Sequence, residues 1–352
     1  MKTSRGRFIR IIAYFLIGMG LFACQSSEQR STESAIPITP AFYHWKATYN
    51  PTQSEIEEIK RLNVNKLYVH FFDVDWDPKT RQPIPKALLR FAQKPMGNVV
   101  PVVFITNRTL TLLTPAALSE LAGHVTQMIR QIAQKQTITF KEVQFDCDWS
   151  VSTRDRYFKL LRLLSNQLNC PISATIRLHQ VKYTDQTGIP PVARGMLMLY
   201  NVADWKNPST RNSIYDAEVA GQYVSFVATY PLPLDVVLPL FRWTVVYRNG
   251  RFLTFLNNID RNELANRTFL NALPDTNRFV ARNDTSAFGF SVRRGDLFRA
   301  EAVSHQALLT AKEQLLQKLD NQPITFALYH LDSLVLAPYS REILQTLFRP
   351  LP

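Results

Sequence analysis

From residue 41 onward the chain alternates between short runs rich in β-branched and aromatic residues and longer stretches whose apolar positions recur every three or four residues. The short runs are residues 41–46 (AFYHWK), 66–73 (KLYVHFFD), 98–106 (NVVPVVFIT), 143–150 (VQFDCDWS), 171–179 (PISATIRLH), 195–201 (GMLMLYN), 234–240 (LDVVLPL) and 324–331 (ITFALYHL). Most are followed by a helix signal. Thr52-x-x-Glu55 forms a capping box ahead of IEEIKRLN, residues 87–93 suit a short helix, and Thr114-Pro115 opens a long one to about Lys135. Residues 153–168, 214–230, 297–319 and 341–348 complete the series. Eight such strands, most with a helix after them, in about 310 residues predict an α/β fold: a (β/α)8 TIM barrel over 41–352. An open doubly wound sheet is the competitor, but it wants a glycine-rich phosphate loop, and a chain with 11 Gly has no GxGxxG. Asn249-Gly250 between alternating apolar positions marks a two-residue hairpin turn, so the irregular stretch from Trp243 to about Gly295 reads as a β-hairpin insertion after strand seven.

The fourth run carries the chemistry. Successive strand side chains point to opposite faces, so Gln144, Asp146 and Asp148 share one face and Val143, Phe145 and Cys147 the other. In a helix-covered parallel sheet the outer face is apolar, which aims the two acids into the barrel mouth. The fifth run repeats the split, with Ser173, Thr175, Arg177 and His179 inward. An Arg in that place is expected beside Asp146, lowering its pKa and leaving Asp148 freer to hold a proton. Barrel function sits at the carboxyl ends of the strands. Those ends supply His44 and Trp45, His70 and Asp73, Asn107, Asp146 and Asp148, Arg177 and His179, Tyr200 and Asn201, Trp243, and His330 and Asp332. Acids, an Arg, histidines and indoles together suit a carbohydrate: carboxylates and Arg bond hydroxyls while aromatic faces stack on sugar rings. A metal held by His44, His70, His179, His330 and the Asp pair competes, but no pair of histidines has helical ligand spacing. No metal and no cofactor is therefore expected. Walker loop, CxxC pair, HExxH and GxSxG are absent from the chain.

The order of elements, the Asp146-x-Asp148 pair ending strand four and ALYHLDS on strand eight resemble the glycoside hydrolase family 18 barrels and their bacterial lipoprotein relatives. In that family strand four reads DxxDxDxE, with the Glu as general acid and the preceding Asp orienting the substrate acetamido group. Two registers fit this chain. In one, Ser150 stands where the acid would be. In the other, Asp148 takes the acid position, Asp146 the orienting position and Gln144 the place before it. The first implies a glycan-binding or envelope-assembly protein without catalysis, the second a glycosidase with Asp146 and Asp148 as its catalytic pair.

The amino terminus adds a location. Lys2, Arg5, Arg7 and Arg10 precede an apolar stretch from Ile11 to Phe22, and Leu21-Phe22-Ala23-Cys24 looks like a lipobox. Residues 1–23 read as a lipoprotein signal peptide, Cys24 as the lipidated residue, and 24–40 as a polar tether. By resemblance to lipoprotein sorting, Gln25 directs the protein to the outer membrane. Cleavage lowers the net charge from +13 to about +9, spread without a dense block. Nucleic acid is thus not an expected partner; a glycan, and the membrane through Cys24, are. Cys147 and Cys170 would lie at opposite ends of neighbouring strands and are expected to be free, buried thiols.

Overall fold

The computed structural model describes residues 36–274, 276–319 and 323–351. The expected signal peptide, the expected lipidation site Cys24 and the expected tether up to residue 35 lie outside the described residues.

Eight parallel strands close into a barrel: β1 (Ile38–His44), β2 (Lys66–Asp77), β3 (Asn98–Ile105), β4 (Val143–Asp146), β5 (Ile172–Arg177), β6 (Arg194–Met198), β7 (Leu234–Pro239) and β8 (Ile324–Tyr329). Each pairs in parallel with its neighbour, and β1 pairs with both β2 and β8, which closes the ring. The predicted (β/α)8 barrel is the observed fold. Helices Gln53–Arg61, Leu118–Lys135, Arg154–Leu168, His305–Leu316 and Arg341–Phe348 are among those that cover it. The first starts at Thr52 with the expected capping box, both of its reciprocal bonds to Glu55 being present. Val103, Phe145, Ile176 and Leu238 are fully buried in the main core. Inside the ring, Tyr43 and Tyr68 stack at 4.8 Å, and Tyr43 Oη donates to Gln144 Oε1 at 2.5 Å.

Five elements differ from expectation. Residues 87–93 form no helix; Gln82–Lys86 returns antiparallel along β2, and Arg90–Phe91 pairs with Thr48–Tyr49. Strand four ends at Asp146, and strand five at Arg177, after which Leu178–Lys182 turns helical and takes His179 off the inward face. Residues 297–319 split into a strand, Leu297–Glu301, and the helix from His305. That strand belongs to the insertion, which is larger than a hairpin: Trp243–Arg248 and Arg251–Asn257 join Leu297–Glu301, Arg278–Ala281 and Leu270–Ala272 in a five-stranded antiparallel sheet with its own small core of Val246, Leu256, Phe279 and Phe298. Asn249 and Gly250 turn the hairpin at φ +51° and +73°, the left-handed pair that a tight two-residue turn requires.

Candidate functional site

The carboxyl ends of the strands enclose a cavity of about 560 Å³. Of the residues singled out above, Trp45, Asp73, Asp146, Asp148, Arg177, Tyr200, Asn201, Trp243, His330 and Asp332 line it. Phe104, Phe241, Arg242, Asn257, Asn258 and Tyr329 line it too and escaped the sequence reading. Phe241 and Arg242 immediately precede Trp243, and Tyr329 precedes His330, so one position of strand phase separated them from notice. Asn257 and Asn258 come from the insertion, which no barrel pattern announces. A second cleft of about 350 Å³ adjoins the first, lined by Trp149, His179, Val202, Trp205 and Tyr223. Both clefts share Asp148, Arg177, Tyr200 and Asn201, which form the sill between them.

Arg177 Nε donates to Asp148 Oδ1 at 2.6 Å, and its guanidinium lies 5.7 Å from the Tyr200 ring centroid. The expected partner was Asp146. Because β4 stops at Asp146, the chain leaves the sheet and carries Asp148 outward, 58% exposed, to where the Arg177 head reaches it. Asp146 stays 5% exposed at the floor, and Thr175 Oγ1 donates to its Oδ1 at 2.6 Å. Burial pushes the Asp146 carboxyl above its ordinary value; the Arg177 charge opposes this and the Asp148 charge adds to it. The expected lowering of Asp146 is thus reversed. Arg177 Nη1 is buried without a hydrogen-bond partner.

The other residues fall into two groups. His70 and Asp73 share a face through an irregularity in β2 between His70 and Phe72, and His70 Nε2 lies 2.7 Å from Asp73 Oδ1. Trp45 packs over His70 with ring centroids 4.4 Å apart. Tyr329, preceding a cis peptide bond to His330, packs near Trp45, Tyr200 and Phe241. Trp243 stacks on Phe255 at 4.4 Å, and its Nε1 donates to Glu301 Oε2 at 2.7 Å. Asp332, by contrast, is engaged structurally: it caps Ser333–Leu336 and pairs with Lys46 at 2.8 Å. His44 lies beneath the mouth, 2% exposed, and burial lowers its pKa to about 4; burial brings His330 to about 4 as well. Neutral imidazoles are the result at neutral pH. Asn107 lines neither cleft; its Oδ1 accepts from Thr153 Oγ1 at 2.6 Å. Ser150 sits in the turn before helix Arg154–Leu168, its Oγ within hydrogen-bond distance of Ser152 and Thr153. Cys147 and Cys170 are free, as expected, but only Cys147 is buried, Cys170 being half-exposed rather than buried as its place before strand five suggested. Among the described residues, no group of three or more His, Cys, Asp and Glu is placed to hold a metal ion.

No family model and no curated protein matches the sequence. Solved structures do. The C-terminal domain of a putative chitinase from Desulfitobacterium hafniense aligns with TM-score 0.54 and 11% identity, over 90% of this chain and 99% of that one. The chitinase-like agglutinin of Robinia pseudoacacia aligns with TM-score 0.51 and 10% identity, over 88% and 99%. The spore cortex-lytic enzyme SleL of Bacillus cereus aligns with TM-score 0.50 and 13% identity, over 87% and 75%. At such identities the likeness establishes the fold: this chain has the barrel of the chitinase-like proteins.

Proposed function

We propose that this protein is a lipid-anchored envelope protein whose barrel mouth binds a glycan. One observation carries the reading: a cavity walled by Trp45, Trp243, Tyr200, Tyr329 and Phe241 converges on the Arg177–Asp148 pair and runs on into a second cleft. Aromatic walls with a few fixed polar groups suit a chain of sugar rings, apolar on their faces and hydroxylated at their rims. Similar folds in a putative chitinase, a chitinase-like agglutinin and a cortex-lytic enzyme support it. Residues 25–352, titrated calorimetrically with an oligosaccharide panel, should bind, and Trp45→Ala should weaken binding about tenfold, or ~1.4 kcal/mol. Absence of binding across chitin-like and peptidoglycan-like oligomers would sink the proposal.

A second reading, hydrolysis, has its own support. Asp146 is held toward the protonated form beside Asp148, which is paired to Arg177, so two neighbouring carboxyls occupy unlike environments, as an acid and its partner need. This exchanges the roles assigned from sequence: Asp146 becomes the candidate acid. Product release that disappears in Asp146→Asn while binding persists would support hydrolysis; binding without any product in the parent protein would leave the binding role alone.

A further inference from the structure

Trp205, Phe252 and Phe255 belong neither to the barrel core nor to the small core of the inserted sheet, yet they pack on one another. Phe252 and Phe255 are 4.8 Å apart, and Trp205 lies 4.6 Å from Phe252 and 5.2 Å from Phe255. Trp243 continues the series by its stacking on Phe255. All four rings are half-buried, each keeping part of its surface in solvent.

The arrangement has a local cause. In the hairpin, Val246 pairs with Thr254 but Tyr247 pairs with Phe252, so Leu253 is an extra, bulged residue. Without the bulge, residues three apart would point to opposite faces. With it, Phe252 and Phe255 lie opposite Tyr247 and Val245 on one face. Trp205 is held against that face from the loop after β6: Tyr247 Oη donates to its carbonyl oxygen at 2.5 Å.

The ends of this series decide its meaning. Trp243 lines the first cavity and Trp205 the second cleft, so the contiguous rings connect a wall of the one to a wall of the other. Polar side chains flank the rings, with Asn257 beside Trp243 and the Lys206 ammonium 5.2 Å from the Trp205 ring.

Resting on the glycan reading, we infer that the Trp243–Phe255–Phe252–Trp205 series is an additional binding track, which makes the preferred ligand a long linear polysaccharide rather than a short oligosaccharide. A disaccharide fills the mouth alone; a longer chain also lies along the rings.

Calorimetry with two-sugar and six-sugar chito-oligosaccharides tests this. The six-sugar ligand should bind the parent protein about tenfold tighter than the two-sugar one. Phe252→Ala and Phe252→Leu should both remove that gain and leave two-sugar affinity unchanged; Leu retains the apolar bulk, so a ring needed only for packing would be rescued by it. Equal affinity for the two lengths, or a Phe252→Leu protein with the full six-sugar gain, overturns the inference while leaving glycan binding intact. Failure of both ligands, and of peptidoglycan-like oligomers of the same lengths, to bind the parent protein overturns the glycan reading and the track together.

Discussion

Asp146 and Asp148 are two positions apart, but the end of β4 between them gives one a buried floor and the other a solvent-facing pair with Arg177. That difference has a pH signature. A carboxyl whose folded pKa is raised binds its proton more tightly when folded, so its contribution to stability is fully present below the unfolded pKa and is lost as pH rises through the folded value. Asp146→Asn keeps an acceptor for Thr175 and removes the titration. The variant should therefore gain Tm relative to the parent as pH rises above about 4, and a constant Tm difference across pH would refute the assignment. Arg177→Met tests the other half. Its partner is mostly in water, so the variant should lose only about 1 kcal/mol of stability. Glycan affinity should fall, because the sill loses the guanidinium charge and its donors. A loss of several kcal/mol with full binding would make the pair structural. Asp146, Arg177 and Tyr200 line the cavity where alternation aimed them, since their strands hold regular geometry up to those residues or just short of them. Asp148 and His179 also reach the clefts, but from past the strand ends, where a period of two no longer fixes direction or partner.

Elements were legible where local chemistry and tertiary packing agree. The capping box at Thr52 and the Asn249-Gly250 turn are self-contained signals, and both formed as read. Gly250 has open space around it, so a side chain there meets only the backbone penalty of positive φ. Gly250→Ala should cost about 1–2 kcal/mol in urea titrations. The strand Leu297–Glu301 was illegible for the opposite reason. It lies inside the five-stranded sheet with both faces covered, Phe298 and Ala300 on the small core and Arg299 with Glu301 beneath the loop after β6. Two buried charges broke the apolar alternation and made the segment look like the start of a helix. Arg299 Nε donates to Glu301 Oε1 at 2.6 Å, and Glu301 Oε2 accepts from Ser213 and from the Trp243 indole. Arg299→Met strands the Glu301 charge in the interior and should cost about 3–5 kcal/mol, far more than Arg177→Met. Similar losses for the two variants would mean that burial does not distinguish the pairs.

At the scale of the whole molecule, the two ends of the barrel carry different things. The described chain enters at Ile36, and Pro37 accepts a bond from Ile324 at the amino-terminal end of β1 and β8, whereas both clefts open at the opposite, carboxyl end. If Cys24 bears the proposed lipid, residues 24–35 span at most about 40 Å to that amino-terminal rim. On that proposal, the tether joins the barrel at the end opposite the mouth. A mouth so placed would be free to engage glycan beyond the lipid surface. Two results are expected. Cys24→Ser protein should leave the membrane fraction and lose incorporation of labelled palmitate. Parent protein anchored in vesicles should bind soluble oligosaccharide with the affinity of the unanchored Cys24→Ser form, because the bilayer does not screen the mouth. Palmitate labelling that survives Cys24→Ser would remove the anchor from this residue, and a large drop in affinity on anchoring would show the mouth facing the lipid instead.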